Sequence, residues 1–210
     1  MTRILILAGA LLAVTLLRNV LPFLIARIFG LAIGSHALAQ QPDEIHLEKS
    51  GPNAWKDPGA VQPLATPLLE RGFRDAGIYQ VKALPGLTLQ LLVKSDESML
   101  GAIYEHPKAG HWVEVACRYQ DGGSVTFSSS RPTGLAPRPK HPVINLPELG
   151  AAAIYERART ERPNRPLDSV STFTVVRMFE RAYAESLAYR KQAGISAREV
   201  GEVAKMRKAA

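Results

Sequence analysis

Cysteine is almost absent from this chain of 210 residues, which contains Cys117 and no other. A single cysteine cannot form a disulfide within the chain, and it excludes a zinc module built from several cysteines. The sequence also contains no G-x-x-x-x-G-K-[ST] or G-x-G-x-x-G phosphate loop, no G-x-S-x-G nucleophile elbow and no S-x-x-K motif. These absences argue against a nucleotide-binding enzyme and against the common types of serine hydrolase. No cofactor is predicted.

The chain also lacks a concentrated basic stripe, although its formal net charge is +7. The net charge is +3 over residues 1–39, −1 over residues 40–150 and +5 over residues 151–210. The C-terminal charges alternate in sign on predicted helix faces, and aromatic residues make up only 7% of the chain. A nucleic-acid surface needs clustered basic residues and stacking aromatics. The pattern therefore favours solvent-exposed helices and predicts no nucleic-acid binding.

No window of twenty residues near the N-terminus is free of charge, which is unusual for a membrane span. The uncharged run of residues 4–17 would extend roughly 21 Å as a helix, whereas the hydrocarbon core is roughly 30 Å thick. A span over residues 4–26 is possible if the Arg18 side chain reaches toward the interface. We therefore predict that residues 1–39 form an N-terminal hydrophobic anchor helix. One alternative is an export signal cleaved near Ala39, since Ala37 and Ala39 form an A-x-A site, and another is an interfacial or core helix.

The charges that flank the hydrophobic segment predict its orientation. The amino terminus and Arg3 precede it, and the acidic residues Asp43, Glu44 and Glu48 follow it. Positive flanks usually remain in the cytoplasm, so the main domain is expected outside it. The sequence thus predicts a single-pass membrane protein of the bacterial envelope, whose N-terminal segment contacts the lipid bilayer. Cleavage near Ala39 would instead release a secreted protein.

Residues 40–67 contain five prolines and are predicted to form a Pro-rich linker. Residues 68–210 are predicted to form an α+β globular domain. Five β-type runs separated by short turns begin it, and they predict an antiparallel β-meander of about five strands. These runs are residues 78–84, 87–93, 99–105, 111–119 and 124–130. On the fourth run Cys117 shares a face with valines, which is typical of a small buried hydrophobe.

Helical signals dominate the C-terminal third of the chain. Helices are predicted over residues 149–159 and 168–192, followed by a basic helix ending at Lys208. Gly194 is expected to follow the long helix at C′, and Ser196 with Glu199 forms a capping box for the last helix. The long helix carries apolar side chains at spacings of three and four, namely Phe173, Val176, Phe179, Tyr183 and Leu187. We expect the meander to pack against these C-terminal helices.

The densest polar segment runs from Glu105 to Glu114 and contains His106 and His111. If residues 107–110 form a hairpin loop, the two histidines lie opposite each other, as two imidazole ligands of a divalent metal would. A polar hairpin tip is the alternative interpretation.

Three functional hypotheses follow from the sequence. The first is a non-catalytic, membrane-tethered domain of the bacterial envelope that binds a protein partner or a wall component through its sheet edge or a helix face. The second is a metal-dependent envelope hydrolase that uses His106 and His111. The third is a small-ligand carrier with a pocket between the sheet and the long helix.

Overall fold

The chain is described by a computed structural model over residues 34–36 and 38–208, with side chains as far as residue 203. Two compact units can be distinguished within it. The larger unit comprises residues 42–132 and 137–189. The described part of the smaller unit comprises residues 34–36, 38–41, 133–136 and 190–208.

A single seven-stranded sheet organises the larger unit, and its strands lie side by side in chain order. All neighbouring strands are antiparallel except the last pair, which is parallel. The strands are β1 (Leu47–Ser50), β2 (Arg74–Val81), β3 (Thr88–Lys94), β4 (Met99–His106), β5 (Gly110–Arg118), β6 (Ser124–Ser128) and β7 (Val143–Asn145). The fold is therefore α+β with a mostly antiparallel sheet, and the predicted meander is confirmed for β2 to β6.

The strand number was predicted wrongly, because the sheet has seven strands rather than five. The two missed strands lie at its edges. β1 has only four residues and no alternation of apolar and polar side chains, and β7 is a three-residue strand inside a proline-dense segment. Short edge strands bury little surface of their own, so their sequences show almost no periodic signal.

Helices cover both faces of the sheet. These helices are α1 (Pro58–Leu69), α2 (Ala151–Glu161) and α3 (Val175–Ala193), whereas α4 (Ala197–Lys208) belongs to the smaller unit. Helices α1 and α2 pack on one face against alternate β5 residues that include Val113, Val115 and Cys117. Helix α3 packs on the other face against Leu89, Leu91 and Val93 of β3. The side-chain alternation predicted for these two strands is confirmed, but their apolar faces point to opposite sides of the sheet.

The segment over residues 40–67, where an extended linker was expected, contains β1, a 3-10 turn over Pro52–Ala54 and most of α1. Pro58 occupies the start of α1, where its missing N–H is not needed, and Asp57 accepts a hydrogen bond from the Ala60 N–H. Val61, Ala65 and Leu68 bury one face of the helix. This burial outweighs the loss of backbone hydrogen bonds at the two internal prolines, Pro63 and Pro67.

The long C-terminal helix begins later than the sequence suggested. Helix α3 starts at Val175, and Phe173 lies in the preceding turn with 95% of its surface exposed. The prediction that Phe173 belongs to the buried stripe is therefore wrong. Val175 is fully buried in its place, whereas Val176, Phe179 and Tyr183 are partly buried.

The predicted capping signals of the smaller unit are confirmed. Gly194 follows α3 with a left-handed φ of 69°, which favours glycine. Glu199 of α4 accepts hydrogen bonds from the Ser196 N–H and hydroxyl, while the Glu199 N–H donates to the Ser196 hydroxyl. The other Glu199 oxygen accepts from the Ala136 N–H and from Arg190. Burial alone would raise the pKa of Glu199, but these hydrogen bonds lower it to about 2.

Within residues 34–36 and 38–208, no helix is both long enough and apolar enough to cross a bilayer. The anchor or signal predicted for residues 1–39 falls almost entirely outside these described residues, as does Ala37 of the predicted cleavage site.

Candidate functional site

The structure does not place the two candidate metal ligands opposite each other. The hairpin between β4 and β5 turns over residues 107–109, and Gly110, with φ of 74°, already pairs with His106. His111 pairs with Glu105. Neighbouring residues on a strand point to opposite faces, so His106 and His111 lie on opposite sides of the sheet. In the part of the chain described, no group of three or more His, Cys, Asp or Glu residues is arranged to hold a metal.

His106 and His111 have different hydrogen-bonding partners. The His106 Nδ1 accepts hydrogen bonds from the Lys108 and Ala109 N–H groups, each at 3.2 Å, and so closes the hairpin turn. The His111 Nε2 lies 3.0 Å from the Glu105 Oε1. This geometry corresponds to the polar hairpin tip rather than to a pair of imidazole ligands.

Glu105 connects the sheet to the segment that precedes α1. Its side chain accepts hydrogen bonds from the Lys56 and Asp57 N–H groups, both at 2.8 Å, in addition to the contact with His111. The residue is only 4% exposed. Burial would raise the pKa of Glu105, but the hydrogen bonds from Lys56, His111 and Asp57 lower it below its ordinary value. Glu105 is therefore an ionised side chain that joins β4 to the segment before α1.

A second polar group lies on the α3 face of the sheet around Glu114. The Tyr104 hydroxyl donates to Glu114 at 3.0 Å, and the Ser128 hydroxyl donates to it at 3.1 Å. Trp112 stacks on Tyr104 with ring centroids 4.6 Å apart. Burial raises the pKa of both Glu114 and Tyr104. These side chains satisfy one another's hydrogen-bonding groups across β4, β5 and β6. Such a network is typical of a structural role in which polar contacts fix the packing of neighbouring strands.

Ser124 forms a contact that the sequence did not reveal. Its hydroxyl lies 2.7 Å from the Nδ1 of His141, which comes from the proline-dense segment seventeen residues later. Burial, together with the charges of Arg138 and Arg118, lowers the pKa of His141. A catalytic Ser-His pair also needs a carboxylate to orient the imidazole. Over the described residues no carboxylate contacts the His141 ring, so we assign this pair to the connection between β6 and the following loop.

Three arginines converge on one carboxylate where β5 meets α3. Glu185 of α3 accepts hydrogen bonds from Arg181 at 2.7 Å, Arg118 at 3.2 Å and Arg138 at 3.2 Å. Burial alone would raise the pKa of Glu185, but hydrogen bonds from these arginines lower it to about 2. Glu185 and Asp168, whose Oδ2 lies 3.6 Å from the Arg118 Nε, supply two negative charges against these three guanidinium groups. A surplus of positive charge therefore remains at this point.

Beside this cluster is a shallow, open pocket with a volume of about 240 Å³. It lies between the end of β5 and the first half of α3. Its lining residues are Arg118, Asp168, Ser169, Thr174, Arg177, Met178 and Arg181. The volume is below the range of roughly 300 to 1,000 Å³ typical of drug-sized ligands. Three arginines and one acid make the pocket suitable for a small anionic group.

The three arginines of the pocket differ in how strongly they are held. Arg118 is ordered by Glu185 and by Asp168, whose Oδ2 lies 3.6 Å from the Arg118 Nε. Arg181 contacts Glu185 but remains 70% exposed. The guanidinium of Arg177 has no ion pair or hydrogen bond among the residues that the structure describes. The pocket thus combines Arg118, which two acids hold in place, with Arg177, whose guanidinium N–H groups are free to bind a ligand.

The sequence suggested a pocket between the sheet and the long helix but did not identify its lining residues, because they come from distant segments. Arg118 ends β5, Asp168 and Ser169 precede α3, and Arg177 lies in α3 itself. The one local signal was the spacing of Arg177 and Arg181, which places both on one side of a helix. Comparison of the chain with protein-family models, curated proteins and solved structures finds no significant match.

Proposed function

We propose that this chain is a membrane-tethered, non-catalytic binding domain that holds a small anionic ligand in the pocket beside α3. The observation that carries the proposal is the arginine surplus of the pocket, with Arg118, Arg177 and Arg181 against Asp168. This proposal combines the hypothesis of a binding domain with that of a ligand pocket between the sheet and the long helix.

The chemistry of the lining favours binding over catalysis. Arginine remains protonated throughout the physiological range and is a poor proton donor or acceptor for catalysis. Its planar group donates two parallel hydrogen bonds to a carboxylate or a phosphate. Arg118 is already oriented by two acids, so a ligand would lose little side-chain entropy in using it. Phosphate and carboxylate groups are therefore the expected ligand class.

The location of the domain is proposed from the sequence alone. Residues 1–39 would anchor the chain in the membrane of a bacterial envelope, with the domain on the extracytoplasmic side. Fractionation of cells expressing the full chain tests this part. We expect the chain in the membrane fraction. A soluble form whose amino terminus is Gln40 would instead support cleavage of a signal.

Ligand binding is tested by isothermal titration of the full chain in neutral detergent with inorganic phosphate and with acetate at low salt. We expect saturable binding that weakens about three- to tenfold in Arg177→Gln, as for the loss of one solvent-exposed hydrogen bond with a net contribution of about 0.7 to 1.4 kcal/mol. Arg157→Gln is the matched control, because Arg157 is an exposed arginine on α2, on the opposite face of the sheet. Absence of saturable binding, or equal affinity in Arg177→Gln, would contradict the proposal.

A further inference from the structure

Phe173 is the most exposed large apolar side chain in the part of the chain that the structure describes. Its exposed fraction is 95%, whereas the other exposed large apolar residues there remain below one half. A single exposed apolar residue needs no explanation by itself. What distinguishes Phe173 is its position, directly before Thr174, which lines the arginine pocket.

The backbone around Phe173 is held firmly. The Ser171 N–H donates to the Thr174 hydroxyl at 3.1 Å, and the Thr174 and Val175 N–H groups both donate to the Ser171 carbonyl. Val175 is fully buried in the core beneath. A turn fixed at both ends therefore presents the aromatic ring to solvent, and the ring does not belong to a frayed terminus.

Positive charge accompanies the ring at this end of α3. Arg177 and Arg181 follow one and two helical turns after Phe173, and both are exposed. Among the nearby acids, Glu185 accepts from three arginines, and the Glu180 side chain is directed toward β1, where it accepts from the Leu47 N–H at 2.7 Å. Asp168 is paired with Arg118. The surface that remains combines one aromatic side chain with the guanidinium of Arg177, which is unpaired among the described residues, and the exposed Arg181.

We propose that this end of α3 docks on an anionic bilayer surface, with a lipid phosphate in the arginine pocket and Phe173 in the interfacial layer. This inference rests on the proposed function and adds the source of the anion. Phenylalanine, like tryptophan and leucine, is typical of the apolar face of segments that insert at the boundary between headgroups and acyl chains. Each basic residue near an anionic surface strengthens binding by about fivefold. Charge complementarity thus selects an anionic lipid as the occupant.

The test uses the full chain carrying Phe173→Trp, reconstituted in vesicles whose lipids carry bromine on the acyl chains. Bromine quenches tryptophan on contact, and subtraction of the wild-type signal removes the contributions of Trp55 and Trp112. Vesicles of phosphatidylcholine alone are compared with vesicles containing phosphatidylglycerol. We expect quenching at position 173 only when phosphatidylglycerol is present. Leu69→Trp is the matched control, because Leu69 is a partly exposed apolar residue at the end of α1, on the opposite face of the sheet.

Charge removal tests the arginine contribution in the same assay. Arg177→Gln should lower the ratio of docked to undocked protein about fivefold, and adding Arg181→Gln should lower it about 25-fold in total. Arg157→Gln should leave it unchanged. Equal quenching in both lipids, or quenching that persists in the double variant, would overturn the inference. If soluble glycerol phosphate binds the pocket while position 173 remains unquenched, the docking inference fails and the proposed function stands. If neither phosphate nor lipid binds, both fail.

Discussion

Replacing Glu105 with glutamine should destabilise the larger unit strongly, although only one oxygen is exchanged for a nitrogen. The Glu105 Oε1 faces the Asp57 N–H and His111, and the Oε2 accepts from the Lys56 N–H. Glutamine keeps one acceptor oxygen. Its amide NH₂ must then face a backbone N–H, so two donors confront each other inside the protein.

The expected magnitude follows from these contacts. A hydrogen bond to a charged group contributes about 1.5 to 3 kcal/mol, and a buried donor left without a partner costs about 1 to 3 kcal/mol. Because the side chain retains one acceptor and can shift, we expect a loss of about 2 to 4 kcal/mol in the free energy of unfolding. For a protein of this size the melting temperature should fall by about 5 to 15 °C.

The effect should depend on pH in a defined direction. The folded pKa of Glu105 is lowered, so its stabilising contribution is complete above the unfolded pKa of about 4.3 and is lost as pH falls through the folded pKa. The difference in unfolding free energy between the wild type and Glu105→Gln should therefore shrink as the pH falls below about 4.

Urea denaturation of the full chain, followed by circular dichroism at several pH values, measures this difference. Glu156→Gln is the control, because Glu156 is an exposed glutamate whose surface ion pairs with Arg159 and Arg71 should contribute less than about 1 kcal/mol. The reasoning is refuted if Glu105→Gln unfolds at the same urea concentration as the wild type at pH 7. It is also refuted if the difference grows as the pH falls from about 4 to 3.

Three further predictions concern the core, the thiol and the hairpin. Phe179→Ala should lower the unfolding free energy by about 1 to 3 kcal/mol, because the ring is partly buried and lies 6.3 Å from Tyr104. An unchanged melting temperature would show instead that the Phe179 ring does not stabilise the core. Cys117 is 2% exposed and burial raises its pKa, so a thiol reagent should modify it about a hundredfold more slowly in the native than in the urea-unfolded chain. Zinc should leave the melting temperature of the full chain unchanged; a rise abolished by His106→Ala or His111→Ala would restore the metal hypothesis.

The sequence by itself determined the elements whose signals are local. Alternating side chains and short turns specify β2 to β6 as a meander, because adjacent antiparallel strands need only a few residues between them. The end of α3 at Gly194 and the start of α4 at Ser196 are likewise set by neighbouring residues. The burial of Cys117 follows from its place on an apolar strand face.

Tertiary structure decided the features that depend on distant partners. Helix α1 forms despite two internal prolines because Val61, Ala65 and Leu68 find a sheet to pack against. Because Gly110 belongs to β5 rather than to the predicted loop, the hairpin pairing is shifted by one residue. His106 and His111 therefore lie on opposite faces of the sheet.

The arginine pocket depends on the tertiary structure for the same reason. Arg118, Arg138 and Arg181 reach the same carboxylate from a strand, a loop and a helix. No short-range sequence pattern predicts this arrangement. It forms only when the sheet and α3 pack together and bring distant charges within hydrogen-bond distance.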